Sequence, residues 1–307
     1  MPTPLEHGTT AVRTLPARVM ALLALGSLAA LHGTAARAEW DLAAAAGLSY
    51  DNNLTRAQDG VDKRAAGAVN ANVTAARFIP FSGSDSVLFA LDGRAEAFSR
   101  YSGLSNLVVG GSASYRHKFG LGAEAPWMSM SLRVSYDDYR EDLRTSTRLH
   151  ARAEAGQRFG AQFDASAGVY YERRYDNHGE SIVPGVSGHV FDLAGQGVDV
   201  RAGYAATNEW YLDAKAGVRR GDVESTSQRS LPIFLASSAI TDDPVWGDPN
   251  LYAYRLRGTT YTGALTASYA VNDQSSLDIS YEYGLTRAAQ GLEYITNAVF
   301  VTFTHRY

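Results

Sequence analysis

Charged residues in this chain recur at alternate positions along stretches suited to extended backbone. Asp92, Arg94 and Glu96 form one such run, and Arg152 with Glu154, Asp213 with Lys215, and Asp278 with Glu282 form others. Arg116 and Arg133 lie on segments of the same kind. Side chains two apart on a strand share a face, so each run places its charges side by side. Mixed signs on one face suit two kinds of chemistry. They can line an aqueous path and set its preference for ions or solutes. They can also pair with each other across neighbouring strands and fill the space between them.

Other chemistries have weaker footing. Two acidic stretches offer the hard oxygens that Ca²⁺ takes: Asp51-Asn52-Asn53, and Asp137-Asp138 with Glu141-Asp142. Neither has the spacing of a calcium loop. There is no Gly-rich phosphate loop, no Cys/His zinc spacing and no basic stripe with interleaved aromatics. No metal, no cofactor and no nucleic-acid partner is expected. Nucleophilic catalysis needs Ser, His and an acid held together. The histidines that qualify by position are His117, His150, His178, His189 and His305. His178 sits in Asp176-Asn177-His178-Gly179-Glu180 and His189 follows Ser187-Gly188; a loop His beside Asp and Asn reads as solvated polarity. No catalytic residue is expected, and the chain is not expected to be an enzyme.

The elements that must position the charges have period two. Met128, Met130, Leu132, Val134 and Tyr136 share one face, opposite Ser129, Ser131, Arg133, Ser135 and Asp137. Leu277, Ile279, Tyr281, Tyr283 and Leu285 repeat the design against Ser276, Asp278, Ser280, Glu282 and Gly284. Strict alternation over about ten residues marks a strand, and about ten is the length that crosses a bilayer at barrel tilt. About twelve candidates follow: 40–50, 66–79, 86–99, 107–118, 127–139, 146–159, 163–174, 189–204, 209–219, 252–270, 276–285 and 294–307. The segment 189–204 changes face near Gly195 and Gly197, which predicts a bulge or glycine kink. The segment 252–270 loses phase near Gly258, and 40–50 and 66–79 are Ala-rich.

Connections tend to alternate in length. Short ones are 82–85, 119–126, 160–162, 205–208 and 271–275; longer ones are 51–65, 100–106, 140–145, 175–188, 220–251 and 286–293. A soluble β-sandwich has no reason to alternate in this way. The stretch 220–251 is long enough to enter a barrel interior, and is read here as a surface-exposed loop. Aromatics sort to strand ends: Trp40, Trp127, Trp210, Tyr269 and Tyr307 toward the short turns, and Tyr50, Tyr136, Tyr139, Tyr171 and Tyr283 toward the long loops. Such sorting is expected of interfacial girdles. Only 45% of residues are apolar and mean hydropathy is −0.20, consistent with strands that need one apolar face each.

The two ends add an address. Arg13 and Arg18 precede an apolar run, Val19–Leu31, followed by Ala36-Arg37-Ala38. This reads as a secretory signal peptide over residues 1–38, cleaved after Ala38, leaving one domain over 39–307. The run is too short for a helical span, which needs about 20 residues. Removing Glu6, Arg13, Arg18 and Arg37 takes away two net positive charges, so the formal charge moves from −4 to −6. That acidity argues against nucleic acid. Zero Cys is compatible with the envelope.

At the other end, Val299, Val301, Phe303 and Tyr307 share one face of a strand that stops on an aromatic, with His305 as its polar member. This segment resembles the closing strand of Gram-negative outer-membrane β-barrel proteins, porin-like and of no specific subfamily. The resemblance implies that the four residues form the signal read by the β-barrel assembly machinery. Gly47-Leu48-Ser49-Tyr50-Asp51-Asn52-Asn53 looks like the opening of several barrel families, including a family of β-barrel porins and the C-terminal barrel of surface lipoprotein assembly modifiers. Those modifiers carry a helical-repeat domain before the barrel, and no helical repeat exists here. Neither His178 nor His189 has the His-x-Ser-Asn pattern of outer-membrane phospholipases or the His-Ser pair of lipid A deacylases.

The expected fold is all-β: a transmembrane, antiparallel, up-and-down barrel of about twelve strands with short periplasmic turns and longer extracellular loops. It belongs in the bacterial outer membrane, among lipid and lipopolysaccharide. With the apolar face toward lipid, the opposite face lines a lumen with Asp92, Arg94, Glu96, Arg116, Arg133, Arg152, Glu154, Asp213, Lys215, Asp278 and Glu282. The expected function is a channel for passive passage of ions or small hydrophilic solutes. Two alternatives stand beside it: a non-conducting structural or binding barrel that displays its loops, and an export or assembly barrel with an unknown periplasmic partner.

Overall fold

The computed structural model describes residues 40–307. The signal-peptide expectation for residues 1–38 lies outside the described residues. Thirteen strands form: β1 (Asp41–Asp51), β2 (Ala66–Pro80), β3 (Asp85–Phe98), β4 (Asn106–Lys118), β5 (Trp127–Tyr139), β6 (Ser146–Phe159), β7 (Phe163–Asp176), β8 (Leu193–Ala205), β9 (Trp210–Gln228), β10 (Ala239–Asp242), β11 (Leu251–Asn272), β12 (Ser275–Ala288) and β13 (Glu293–Arg306). Each pairs antiparallel with its sequence neighbour from β1 to β9. The ring skips β10: β9 pairs β11 directly, from Trp210↔Tyr269 to Gln228↔Leu251. It then runs through β12 and closes where β13 meets β1, from Ala43↔Arg306 to Asp51↔Ala298. The result is a closed, antiparallel, up-and-down barrel of twelve strands.

The polarity of this barrel is the reverse of a soluble domain. On β5, Met130 is 54% exposed while Asp137 is 3% exposed. Leu132, Val134 and Tyr136 follow Met130 outward, and Ser135 follows Asp137 inward. Lipid solvates the outer row, and the ring of twelve strands closes below the tips of β9 and β11, so no strand edge is left open to hydrocarbon there. The Ala-rich β1 and β2 are held by an unbroken eleven-residue ladder, from Asp41↔Ala76 to Asp51↔Ala66. Turns at 81–84, 119–126, 160–162, 206–209 and 273–274 occupy one end, and loops at 52–65, 99–105, 140–145, 177–192, 229–250 and 289–292 occupy the other.

Several sequence expectations change. β8 starts at Leu193 rather than residue 189, and its register with β7 and β9 runs unbroken through Gly195 and Gly197, with no bulge there. β11 keeps its register with β9 across Gly258. The register shift lies instead between Ala270 and Asn272, in its pairing with β12. Gly258 marks the height at which pairing with β12 ends; above it, β10 takes the same edge through Ala239↔Arg255 to Asp242↔Tyr252. Two aromatics placed in the girdles turn inward. Trp127 packs beside Gly156 with the Arg116 guanidinium 4.2 Å from its ring, and Tyr139 lies 5.7 Å from the Arg174 guanidinium. Trp40, Trp210, Tyr269 and Tyr307 remain exposed, with Trp210 and Tyr269 in contact at 5.0 Å.

Candidate functional site: lumen and roof

The inward face of the strands encloses a cavity of about 780 Å³. Its two walls differ in chemistry. The wall from β5 to β9 presents Arg133, Arg148, His150, Tyr170, Glu172, Lys215 and Arg219. The facing wall on β11, β12 and β13 presents Thr260, Thr262, Thr286 and Thr296, with Glu282 as its charge in the cavity.

The charged wall is built by a repeated device. Three arginines reach a carboxylate two strands away, over a glycine on the strand between. Arg133 of β5 bonds Asp92 of β3 over Gly110 of β4. Arg152 of β6 bonds Asp199 of β8 through both guanidinium nitrogens, at 2.6 and 2.7 Å, over Gly168 of β7. Arg219 of β9 bonds Glu172 of β7 over Gly195 of β8. A Cβ at these glycines would lie 2.8, 2.6 and 2.5 Å from the guanidinium, so only a residue without a side chain leaves the path open. The registers explain the repetition. Asp92 stands opposite Gly110, Asp199 opposite Gly168 and Glu172 opposite Gly195. Tyr211 repeats the pattern without an arginine, donating to Asp164 at 2.8 Å over Gly203. Fork-shaped guanidinium–carboxylate contacts fix geometry as well as charge.

The residues assigned to the lumen from sequence fall into three groups. Paired ones are Asp92 with Arg133, Arg152 with Glu154 at 3.1 Å, Lys215 with Asp199 at 3.8 Å, and Asp213 with Arg201 at 2.5 Å. Arg116 stacks on Trp127, and Glu96 accepts from Asn106 at 3.4 Å. Arg94, Asp278 and Glu282 have no ion-pair partner among the described residues. Sequence reasoning missed Asp199, Arg201 and Arg148, which pairs with Asp137 at 2.5 Å. Asp199 and Arg201 keep strict alternation with Gly195 and Gly197; the misplaced start of β8 hid it.

The external mouth is roofed by the segment after β9. β9 and β11 rise past their neighbours, and the chain between them forms a short helix, α1 (Leu231–Ala236), then β10. This segment and the tips of its two strands contact every other external loop. Thr226 donates its backbone N–H to Thr55 at 2.7 Å, and Gln228 to Asp62 at 3.1 Å. Trp246 packs on Leu104 and meets the Tyr101 ring at 4.9 Å. The Ile240 N–H donates to Ser187 at 2.9 Å. Ile240, Tyr252, Tyr254 and Leu256 cluster with Leu292, while Ala239 and Ala253 cluster with Val190 and Phe191. The expectation of a surface-exposed loop at 220–251 is therefore corrected in part: Val223, Ala239, Ile240, Trp246 and Leu251 are buried, while Leu231 and Leu235 of α1 stay exposed.

Asp243 is the centre of this roof. Its Oδ2 accepts from Arg144 at 2.6 Å, from Thr226 at 2.8 Å and from the Trp246 indole at 2.7 Å. The Asp243 and Arg144 side chains are 1% and 6% exposed. Glu141, nearby in the loop at 140–145, has its carboxyl pushed above the usual range, by burial first and by Asp243 second. No period announces these residues, because two loops, 140–145 and 229–250, and the tip of β9 bring them together.

One carboxylate of each acidic stretch weighed for Ca²⁺ pairs with an arginine: Asp51 with Arg56 at 2.7 Å, and Asp137 with Arg148. Among the described residues no group of three potential ligands could hold a metal ion. His189 Nδ1 meets Asp176 at 2.7 Å. His305 bonds Ser275 at 3.0 Å and stacks edge-on with Tyr307. On the closing strand, Val299, Val301, Phe303 and Tyr307 all point outward and are exposed, and the Tyr307 N–H donates to Leu42 of β1 at 3.0 Å.

No family model matches the chain, and no curated protein matches it. Solved structures do. An outer-membrane channel from Pseudomonas putida F1 aligns over 90% of this chain and 100% of its own, with TM-score 0.56 and 9% identity. The NanC porin aligns over 85% and 98% with TM-score 0.48 and 6% identity. The outer-membrane channel DcaP of Acinetobacter baumannii aligns over 90% and 99% with TM-score 0.43 and 9% identity. The first of these supports the fold, a closed up-and-down β-barrel with an apolar exterior and charged groups inside, as in bacterial outer-membrane barrels.

Proposed function

We propose that the protein is a channel for small hydrophilic solutes, entered through a loop-roofed mouth. The observation that carries this reading is the cavity of about 780 Å³ with charged groups on one wall and hydroxyls on the other. A closed scaffold would gain nothing from a wall of threonines facing a wall of charges. Hydroxyls offer hydrogen bonds to a hydrated solute at small desolvation cost, while the opposing charges set electrostatic preference. The Arg–carboxylate pairs hold the charged wall flat, because each arginine lies along the wall over its glycine instead of crossing the lumen.

Asp243, Arg144 and Trp246 hold the roof down in this conformation, so conduction requires the roof to lift or leave a side path. The reading is tested by single-channel recording of purified protein in planar bilayers. Ohmic steps are expected, larger after replacement of residues 229–250 by a short Gly-Ser turn, which leaves the β9–β11 ladder in place. Silence in both proteins would overturn it. That silence favours the second reading, a non-conducting barrel that displays its loops, for which the buried roof itself is the supporting observation. An export or assembly role with a periplasmic partner finds no dedicated feature among the described residues.

A further inference from the structure

Outside the lumen, three arginines stand together on the lipid-facing side near the external rim. Arg220 of β9 and Arg287 of β12 flank Thr259 of β11 in one cross-strand row. Arg257 lies two residues above Thr259 on the same outward face. The strands beneath present Val218, Tyr261 and Tyr283, all exposed to lipid. The arginines therefore sit at the upper edge of the apolar belt, where headgroups meet the acyl region. Outward positions at the same end of β3, β4 and β5 are Ala97, Leu107 and Asp138, so the cationic rim belongs to one side of the barrel.

Their charge is incompletely used. Arg220 is exposed and has no carboxylate partner among the described residues. Arg257 is 87% exposed and reaches Asp222 only at 3.8 Å. Arg287 bonds Glu293 at 2.7 Å yet remains 62% exposed. Three guanidiniums thus face two carboxylates at the membrane surface. Directly below Arg220 the outer wall is concave. A groove of about 730 Å³ runs beside Met130, Val169, Val198 and Val218 and ends at Arg220.

We propose that this surface docks a phosphorylated glycolipid of the outer leaflet, the lipid A part of lipopolysaccharide, with phosphates on the arginines and one acyl chain in the groove. Arg pairs with phosphate through its planar fork, and such charge-assisted bonds are strong at a membrane surface of low polarity. Arg220 and Arg287 stand two strands apart, about 10 Å, which suits a rigid disaccharide carrying a phosphate at each end. A glycerol phospholipid offers one phosphate and would engage one arginine at a time. The surface lies outside the barrel, so it stands or falls separately from conduction.

The test titrates purified full-length barrel in detergent with bisphosphorylated lipid A, with lipid A stripped of both phosphates, and with phosphatidylglycerol. The protein is expected to prefer the first by about tenfold or more, the loss that follows from removing charged hydrogen bonds. The combined Arg220→Ala, Arg257→Ala and Arg287→Ala variant is expected to lose that preference while keeping heat-modifiable gel migration. If the variant does not fold, the wild-type comparison of the three lipids still decides. Equal binding of phosphatidylglycerol or of stripped lipid A overturns the proposal, as does undiminished lipid A binding by a folded triple variant.

Discussion

At the residue scale, one carboxylate oxygen of Asp243 concentrates the roof's polar energetics. Removing one partner from a buried ion pair costs about 3–5 kcal/mol, because the remaining charge stays desolvated. Asp243→Ala is expected to release the roof by a cost of that order, seen as higher conductance and faster proteolysis within residues 229–250. Heat-modifiable migration of the barrel should be unchanged. Glu141 sets a pH dependence in the same place. Its carboxyl is held above the usual carboxylate range, so the packed roof binds the proton more tightly than an open loop does. That stabilisation is full below the ordinary carboxylate pKa and is lost as pH rises through the raised one. Conductance is expected to rise with pH across that window, and Glu141→Gln should abolish this component in recordings made as a pH series. In the lumen, Gly110 is tested by coupling. Arg133→Gln is expected to cost about 1 kcal/mol in the native background and close to nothing after Gly110→Val, because the valine already displaces Arg133 from Asp92. Urea unfolding of the four proteins in lipid vesicles measures the cycle; equal costs in both backgrounds would remove the glycine's assigned role.

At the element scale, the closing strand separates its two faces sharply. Val301→Arg is expected to destabilise the barrel by roughly 2–4 kcal/mol, the cost of an arginine near the lipid midplane. Thr302→Arg, one residue on and facing the lumen, should cost far less; the same vesicle unfolding assay reads both. The faces of β5, β12 and β13 are legible in sequence because lipid on one side and water on the other impose strict alternation. β8 is harder. Val190 and Phe191 look like strand residues, yet they pack against Ala239 and Ala253 in the roof. β10 is invisible in sequence, since its four residues are extended only because the free edge of β11 above Gly258 accepts them. The inward Arg-over-Gly pairs left partial signs. Gly110, Gly168 and Gly195 keep the phase of the charged face, but nothing in one strand says that an arginine two strands away needs the space.

At the scale of the whole molecule, twelve strands with lipid outside and charge inside make an envelope whose interior must be either a path or a filling. The low mean hydropathy, the alternating loop lengths and the aromatic-tipped end made the architecture readable. The roof was not readable, because its contacts join loops far apart in sequence and obey no period. The lattice on one wall holds its arginines flat, and the other wall is lined with threonines, so the interior retains space rather than closing on itself. The central claim is that this space conducts once the roof is released. Single-channel recording in planar bilayers of the native protein beside the protein with a short Gly-Ser turn in place of residues 229–250 tests it most directly. The account predicts Ohmic steps that become larger in the second protein, and absence of steps in both proteins would contradict it.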